Sequence, residues 1–213
     1  MPIENKTLLA LLVGLVLAEA LLAIGTTWQA IAGLDQALLA SIAGHQSLVV
    51  ARAWSLVTDL GNTIVVFPLA VATIIILYLR AEKTQALRVA ATMAMAILLE
   101  NGLKFAVHRA RPVETYLGTM PPSFSFPSGH TLFATAFYLG TALAVSPALP
   151  QNQRWPWLVV TGLLATAIGL SRIGLLVHYP TDVAGGAIAG LIAIILGKLI
   201  INALARRESR GAD

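Results

Sequence analysis

The chain has 213 residues, 57% of them hydrophobic and 11% charged, with a formal net charge of +4 and a pI near 9.8. Soluble domains carry about 25% charged residues, so this composition excludes a soluble domain and points to an integral membrane protein. The absence of cysteine excludes disulfides, thiolate metal sites and cysteine nucleophiles, and nothing in the charge pattern reads as nucleic-acid binding.

A bilayer span needs roughly 20 mainly apolar residues. Six segments qualify, near residues 7–25, 62–80, 86–107, 129–146, 157–175 and 181–203. The expected fold is all-α: six transmembrane helices in one bundle, forming a single membrane-embedded domain over residues 1–213. The first segment has a second reading as a signal peptide. Lys6 precedes the apolar run and Ala18-Glu19-Ala20 resembles a cleavage site, although Leu21 to Ile24 carry the run past it. Between spans one and two, Leu34, Leu38 and Ile42 recur at helical spacing among polar residues. That is the pattern of a short helix lying in the interface, with a loop packed on the bundle as the alternative.

Six spans put both termini on one side, and the positive-inside rule selects it. With the N-terminus inside, Lys6, Arg80, Lys83, Arg88, Arg154, Lys198, Arg206, Arg207 and Arg210 fall inside, while Arg52, Lys104, Arg109, Arg111 and Arg172 fall outside. Trp28, Trp54, Trp155 and Trp157 all lie near expected span ends, as an aromatic belt requires.

Three short outer segments then hold most of the remaining cations and three of the four histidines: 104–112 (KFAVHRARP), 127–130 (PSGH) and 171–182 (SRIGLLVHYPTD). Snorkelling explains any one of Lys104, Arg111 or Arg172 taken alone. Together with His108, His130 and His178 at membrane depth they form a functional candidate. Guanidinium groups bind phosphate oxygens in pairs and Lys acts as a point charge. Ser128 and Gly129 at the mouth of a helix add free N–H groups and a positive dipole end. His178 and Asp182 are four apart, with Pro180 suited to a first helical turn. Asp182 either orients the His178 ring for attack or forms a structural cap with it. Two histidines beside an anion cradle suit phosphoryl transfer: one attacks phosphorus, the other protonates the leaving oxygen, and the cations neutralise equatorial charge. No metal cage is expected, because Asp182 is taken and only Glu114 and Asp59 remain nearby.

Lys104-x6-Arg111-Pro112, Pro127-Ser128-Gly129-His130 and Ser171-Arg172-x5-His178-x3-Asp182 resemble the three signature motifs of the type 2 phosphatidic acid phosphatase (PAP2) superfamily, in order and without departure. The resemblance implies a bacterial membrane lipid phosphatase of the phosphatidylglycerophosphate and undecaprenyl diphosphate phosphatase kind. In it His178 is the nucleophile, Asp182 its orienter and His130 the general acid. Lys104, Arg111, Ser128, Gly129 and Arg172 bind phosphate, and no cofactor is needed. The expected partners are a lipid phosphate and the bilayer, in the bacterial cytoplasmic membrane, with the active site facing the periplasm or exterior. Phosphotransfer to a lipid hydroxyl, vanadate-dependent oxidation and non-enzymatic anion transport are the rival readings. His108 and Arg109 lie outside the motifs and are candidate headgroup contacts. Glu100 is expected to tether Lys104, Asp59 and Asn62 to border the site, Gly186-x3-Gly190 to pack helices, and the loop 113–126 to select the lipid.

Overall fold

A computed structural model describes residues 3–113 and 122–211, and within them the chain is helical. In order come α1 (Ile3–Gly25), α2 (Gln29–His45), α3 (Leu48–Asp59), α4 (Thr63–Leu79), α5 (Lys83–Val107), α6 (Gly129–Ala134), α7 (Gly140–Val145), α8 (Gln151–Gly174) and α9 (Pro180–Gly211). A π-helical turn over Thr135–Leu139 joins α6 to α7. Among the described residues six apolar runs are long enough to cross a membrane: Asn5–Gly25, Leu48–Leu79, Lys83–Val107, Gly129–Ala148, Gln151–Gly174 and Pro180–Arg207. The six-helix expectation is met.

One boundary differs. Span two was expected to begin at residue 62, but its apolar run starts at Leu48 and is interrupted at 60–62, between α3 and α4. The hydroxyl of Ser47 and the side-chain carbonyl of Asn62 accept backbone N–H groups at the two helix starts, so each half has its own cap. The break brings Gly61 against Ile168 and His130. α2 is the helix foreseen between spans one and two. Its buried face, however, carries Asp35 and Leu39, while Leu34 and Leu38 stay exposed.

Helix α9 is the hub, packing most extensively on α5 and also on α1 and α6. Lipid gives helices no hydrophobic reason to associate, so close backbone approach through small residues carries the packing. A Cβ on Gly186 would lie 2.6 Å from the Ser128 carbonyl oxygen, and one on Gly190 2.6 Å from the Thr135 Cβ. The Gly186-x3-Gly190 pair therefore packs α9 on α6 and sets the height of the PSGH turn. α1 packs along α9 from Asn5, which accepts from the Asn202 side chain, to Glu19, which lies beside Gly185. It packs as part of the bundle. Trp28, Trp155 and Trp157 are exposed at helix ends. Trp54 instead fills the space over Gly174, where a Cβ would lie 2.5 Å from its indole nitrogen.

Candidate active site

Two helix ends deliver the site's chain turns. α5 closes with His108 in the left-handed region, φ 50°, its N–H bonded to the Lys104 carbonyl. α8 closes with Leu176 at φ 59°, while Val177 N–H reaches the Arg172 carbonyl and Leu176 N–H the Ile173 carbonyl, a Schellman closure. Neither residue is a glycine, so the left-handed turn carries a steric cost that the surrounding bonds must offset. The first closure releases Arg109 and Arg111 toward the site, and the second releases His178.

His178 is 2% exposed. Its Nε2 lies 3.0 Å from Arg111 Nη1. A guanidinium can only donate, so Nε2 must accept and the ring proton sits on Nδ1. Nδ1 in turn lies 3.4 Å from Asp182 Oδ2 and 3.4 Å from Ser125 Oγ, the long end of hydrogen bonding. Burial, helped by the nearby Arg111, pulls the His178 pKa down to about 4, against the opposing pull of Asp182. The imidazole is neutral at physiological pH, with its bare lone pair on Nε2.

Asp182 is fully buried and saturated. Oδ2 accepts from Ser125 Oγ at 2.5 Å and from Tyr179 N–H at 2.9 Å, and Oδ1 accepts from Arg109 Nη1 at 2.6 Å. Arg109 continues to Asp35, its Nη2 lying 2.6 Å from Oδ2, and Thr181 donates to Asp35 from both N–H and hydroxyl. Asp35–Arg109–Asp182 is thus a buried chain of alternating charge tying α2 to α9. Arg109, proposed from sequence as a headgroup contact, is committed to two carboxylates. His108 holds its ring against Phe105 and Phe124, with centroids 5.3 and 4.4 Å away.

Arg111 is anchored by neutral acceptors: the carbonyls of Ser123 (2.7 Å) and Val177 (2.9 Å) and the Ser123 hydroxyl (3.0 Å). Burial lowers its pKa, while Asp182 and Glu100 hold it up. Lys104 Nζ reaches the same Ser123 hydroxyl at 3.4 Å and pairs with Glu100 at 2.6 Å, the tether expected from the i, i+4 spacing. A Cβ on Gly129 would lie 3.0 Å from that Glu100 carboxylate, so glycine leaves room for the pair. Arg172 is 6% exposed and donates to Thr58 Oγ1 at 2.6 Å, yet its buried Nε meets no acceptor among the described residues. An orphaned guanidinium N–H in a cluster of cations fits an anionic ligand. Ser128 N–H bonds the Asp182 carbonyl at 2.9 Å, locking the start of α6 to α9. His130 follows on α6, beside Gly61 and within electrostatic reach of Arg172, His178, Arg111 and Lys104.

The structure therefore brings His178, Asp182, His130, Lys104, Arg111, Ser128, Gly129 and Arg172 to one end of the bundle. Asp59 lies within electrostatic reach of Arg172, and Asn62 caps α4 at the border. Four partners escaped sequence reading: Asp35, Thr58, Ser123 and Ser125. The alternation Ser123-Phe124-Ser125-Phe126 was the available signal, since an extended chain puts both serines on one side. Among the described residues no group of three or more His, Asp or Glu side chains is placed to hold a metal ion. Most of the loop 113–126, including Glu114, lies outside the described residues.

The profile of the PAP2 superfamily matches residues 85–206, and the chain belongs to that superfamily. It is 38% identical over 103 residues to phosphatidylglycerophosphatase B of Bacillus subtilis, covering 47% of this chain and 50% of that one. It is 31% identical over 105 residues to an undecaprenyl-diphosphatase of Sulfolobus acidocaldarius, covering 46% and 47%. The match thus spans about half the length of these relatives. The crystal structure of the transmembrane PAP2-type phosphatidylglycerolphosphate phosphatase of Bacillus subtilis superposes with a TM-score of 0.81 at 26% identity, over 92% of this chain and 96% of that chain.

Proposed function

We propose that this protein is a membrane lipid phosphatase working through a phosphohistidine, as one membrane-embedded domain over residues 1–213. The observation that carries the proposal is the 3.0 Å contact between Arg111 and His178 Nε2. It leaves the unprotonated nitrogen facing a cluster of cations. A phosphate oxygen is a charged and stronger acceptor for Arg111 than an imidazole lone pair. Substrate binding therefore draws the guanidinium onto phosphate and frees Nε2. Nε2 attacks phosphorus as the P–O bond to the lipid breaks, and His130 gives its proton to the departing oxygen. His130 then takes a proton from water, whose oxygen attacks phosphorus and releases the phosphate from Nε2. Lys104, Arg111, Arg172, Ser128 and the Gly129 N–H hold the equatorial oxygens throughout. The proposed setting is the bacterial cytoplasmic membrane with both termini cytoplasmic, so that the lipid tail stays in the outer leaflet.

The direct test is phosphate release by purified protein without added metal, from undecaprenyl diphosphate, phosphatidylglycerol phosphate, phosphatidic acid and a lipid A phosphate. Release that His178→Ala reduces by three or more orders of magnitude, the scale of nucleophile removal, supports the reading. Phosphate appearing on a second lipid would make the protein a phosphotransferase. Equal release by His178→Ala would end the phosphohistidine proposal. Activity should be bell-shaped in pH. His178 must be neutral, so the acid limb should fall near pH 4, where the buried ring charges, rather than near 6.5. The alkaline limb belongs to the general-acid step, in which the negative charge of the bound phosphate must hold the proton on His130. Vanadate should inhibit and EDTA should not.

A further inference from the structure

The bundle end opposite the site holds a second feature that the catalytic reading does not use. A cavity of about 380 Å³ opens between α1, α5, α7 and α9, within the roughly 300–1,000 Å³ range of ligand sites. Its walls are apolar, including Leu11, Leu15, Leu143 and Ile194, and it carries two cations, Arg88 and Lys198. Leu191 and Lys198 both line it, so it follows α9 for seven residues, about 10 Å of helix. That is a third of a hydrocarbon core of about 30 Å. Lys198 is the lining residue nearest the end of α9, and Arg88 the one nearest the start of α5. Both cations therefore stand at the terminal rim, with the apolar walls running inward from them.

Arg88 is only partly satisfied. Its Nη2 donates to Asn202 at 3.2 Å, whereas its Nε is buried and meets no acceptor among the described residues. A buried guanidinium N–H without a partner is costly, and its neighbourhood combines positive charge with apolar wall. We propose that this cavity binds one anionic phospholipid from the leaflet at the terminal end of the bundle. One acyl chain lies along the wall formed by α1, α7 and α9, and the phosphate meets Arg88 and Lys198. Basic pockets between membrane helices suit anionic headgroups. The charge at the rim selects an anionic over a zwitterionic lipid, and the cavity's length suits the first part of a chain.

The test is lipid retention, which does not depend on the catalytic reading. The full chain would be reconstituted in phosphatidylcholine nanodiscs with added phosphatidylglycerol, and bound lipid counted by native mass spectrometry. The wild type should keep one phosphatidylglycerol in preference to phosphatidylcholine. Lys198→Gln should weaken that preference about fivefold, the worth of one interfacial cation. Arg88→Gln should do at least as much. Leu143→Trp, a half-exposed wall position that tolerates bulk, should block retention. Arg207→Gln, a cation on the same end but outside the cavity, should leave it unchanged. Hydrolysis of a short-chain phosphate ester should be unaffected by Lys198→Gln and Leu143→Trp. Equal retention of both lipids, undiminished retention in Lys198→Gln and Leu143→Trp, or an equal loss in Arg207→Gln would each overturn the proposal.

Discussion

Arg109 and Arg111 stand two residues apart on the segment leaving α5, and the structure uses them in opposite ways. Arg109 lies between two carboxylates, 2.6 Å from Asp35 and 2.6 Å from Asp182. Its charge is spent inside the protein. Arg111 is held by carbonyls, a hydroxyl and an imidazole lone pair, all neutral. Its charge is positioned but not cancelled, and remains available to a phosphate. Residue type says that both are cations; only the partners decide which is a brace and which keeps its charge uncancelled.

The largest effect expected from this contrast is in Arg111→Gln. Removing a preorganised electrostatic contact costs about 10²–10³-fold in rate. The fall should appear in kcat/KM for any lipid the wild type hydrolyses, with a smaller change in melting temperature. Arg109→Gln should do the reverse. It leaves Asp35 and Asp182 buried without their common cation, which costs about 3–5 kcal/mol when one partner of a buried pair is removed. Melting in detergent should report it, and adding Asp35→Asn should recover part of the loss by deleting one stranded charge. The uncompensated Asp182 would also favour a charged His178, so its pKa would rise and the acid limb of activity would move up from about pH 4. A stable Arg109→Gln with activity reduced as far as in Arg111→Gln, and an unmoved acid limb in what remains, would mean that Arg109 faces the phosphate after all.

The front of the candidate site, as a gathering of residues, was legible and its back was not. Lys104, Arg111, Ser128, His130, Arg172, His178 and Asp182 could be read because chemistry demands fixed residue types at fixed spacing along short stretches. Glu100 was legible for the same reason, through its i, i+4 relation to Lys104. Asp35 was not. It pairs with Arg109 across 74 residues, and no local rule links them. The helical pattern of α2 drew attention to Leu34 and Leu38, which face outward, while the buried pair Asp35 and Leu39 sits one position along. In a membrane bundle both the lipid-facing and the inward faces are apolar, so hydrophobic periodicity loses its power to say which face is in. The start of span two failed for a related reason. Polar Asp59 and Asn62 looked like the water boundary, but they interrupt an apolar run that begins at Leu48, at the depth where Thr58 meets Arg172.

Ser125 offers the finest division between brace and ligand contact. Its hydroxyl donates to Asp182 Oδ2 at 2.5 Å and lies 3.4 Å from His178 Nδ1, on the side of the ring away from Arg111. If it acts only as a brace, Ser125→Ala removes one hydrogen bond to a charged acceptor, worth about 1.5–3 kcal/mol. Asp182 keeps the Tyr179 N–H and the Arg109 guanidinium, so the cost should fall at the low end, about tenfold in kcat, with KM nearly constant. The carboxylate, less satisfied, should hold a protonated His178 slightly better, and the acid limb should shift upward. A loss as large as that of Arg111→Gln, with KM raised and the acid limb fixed, would instead place the Ser125 hydroxyl on the phosphate. The two outcomes differ because a group behind the ring can act only through its orientation and charge, whereas a group in front binds what the ring attacks.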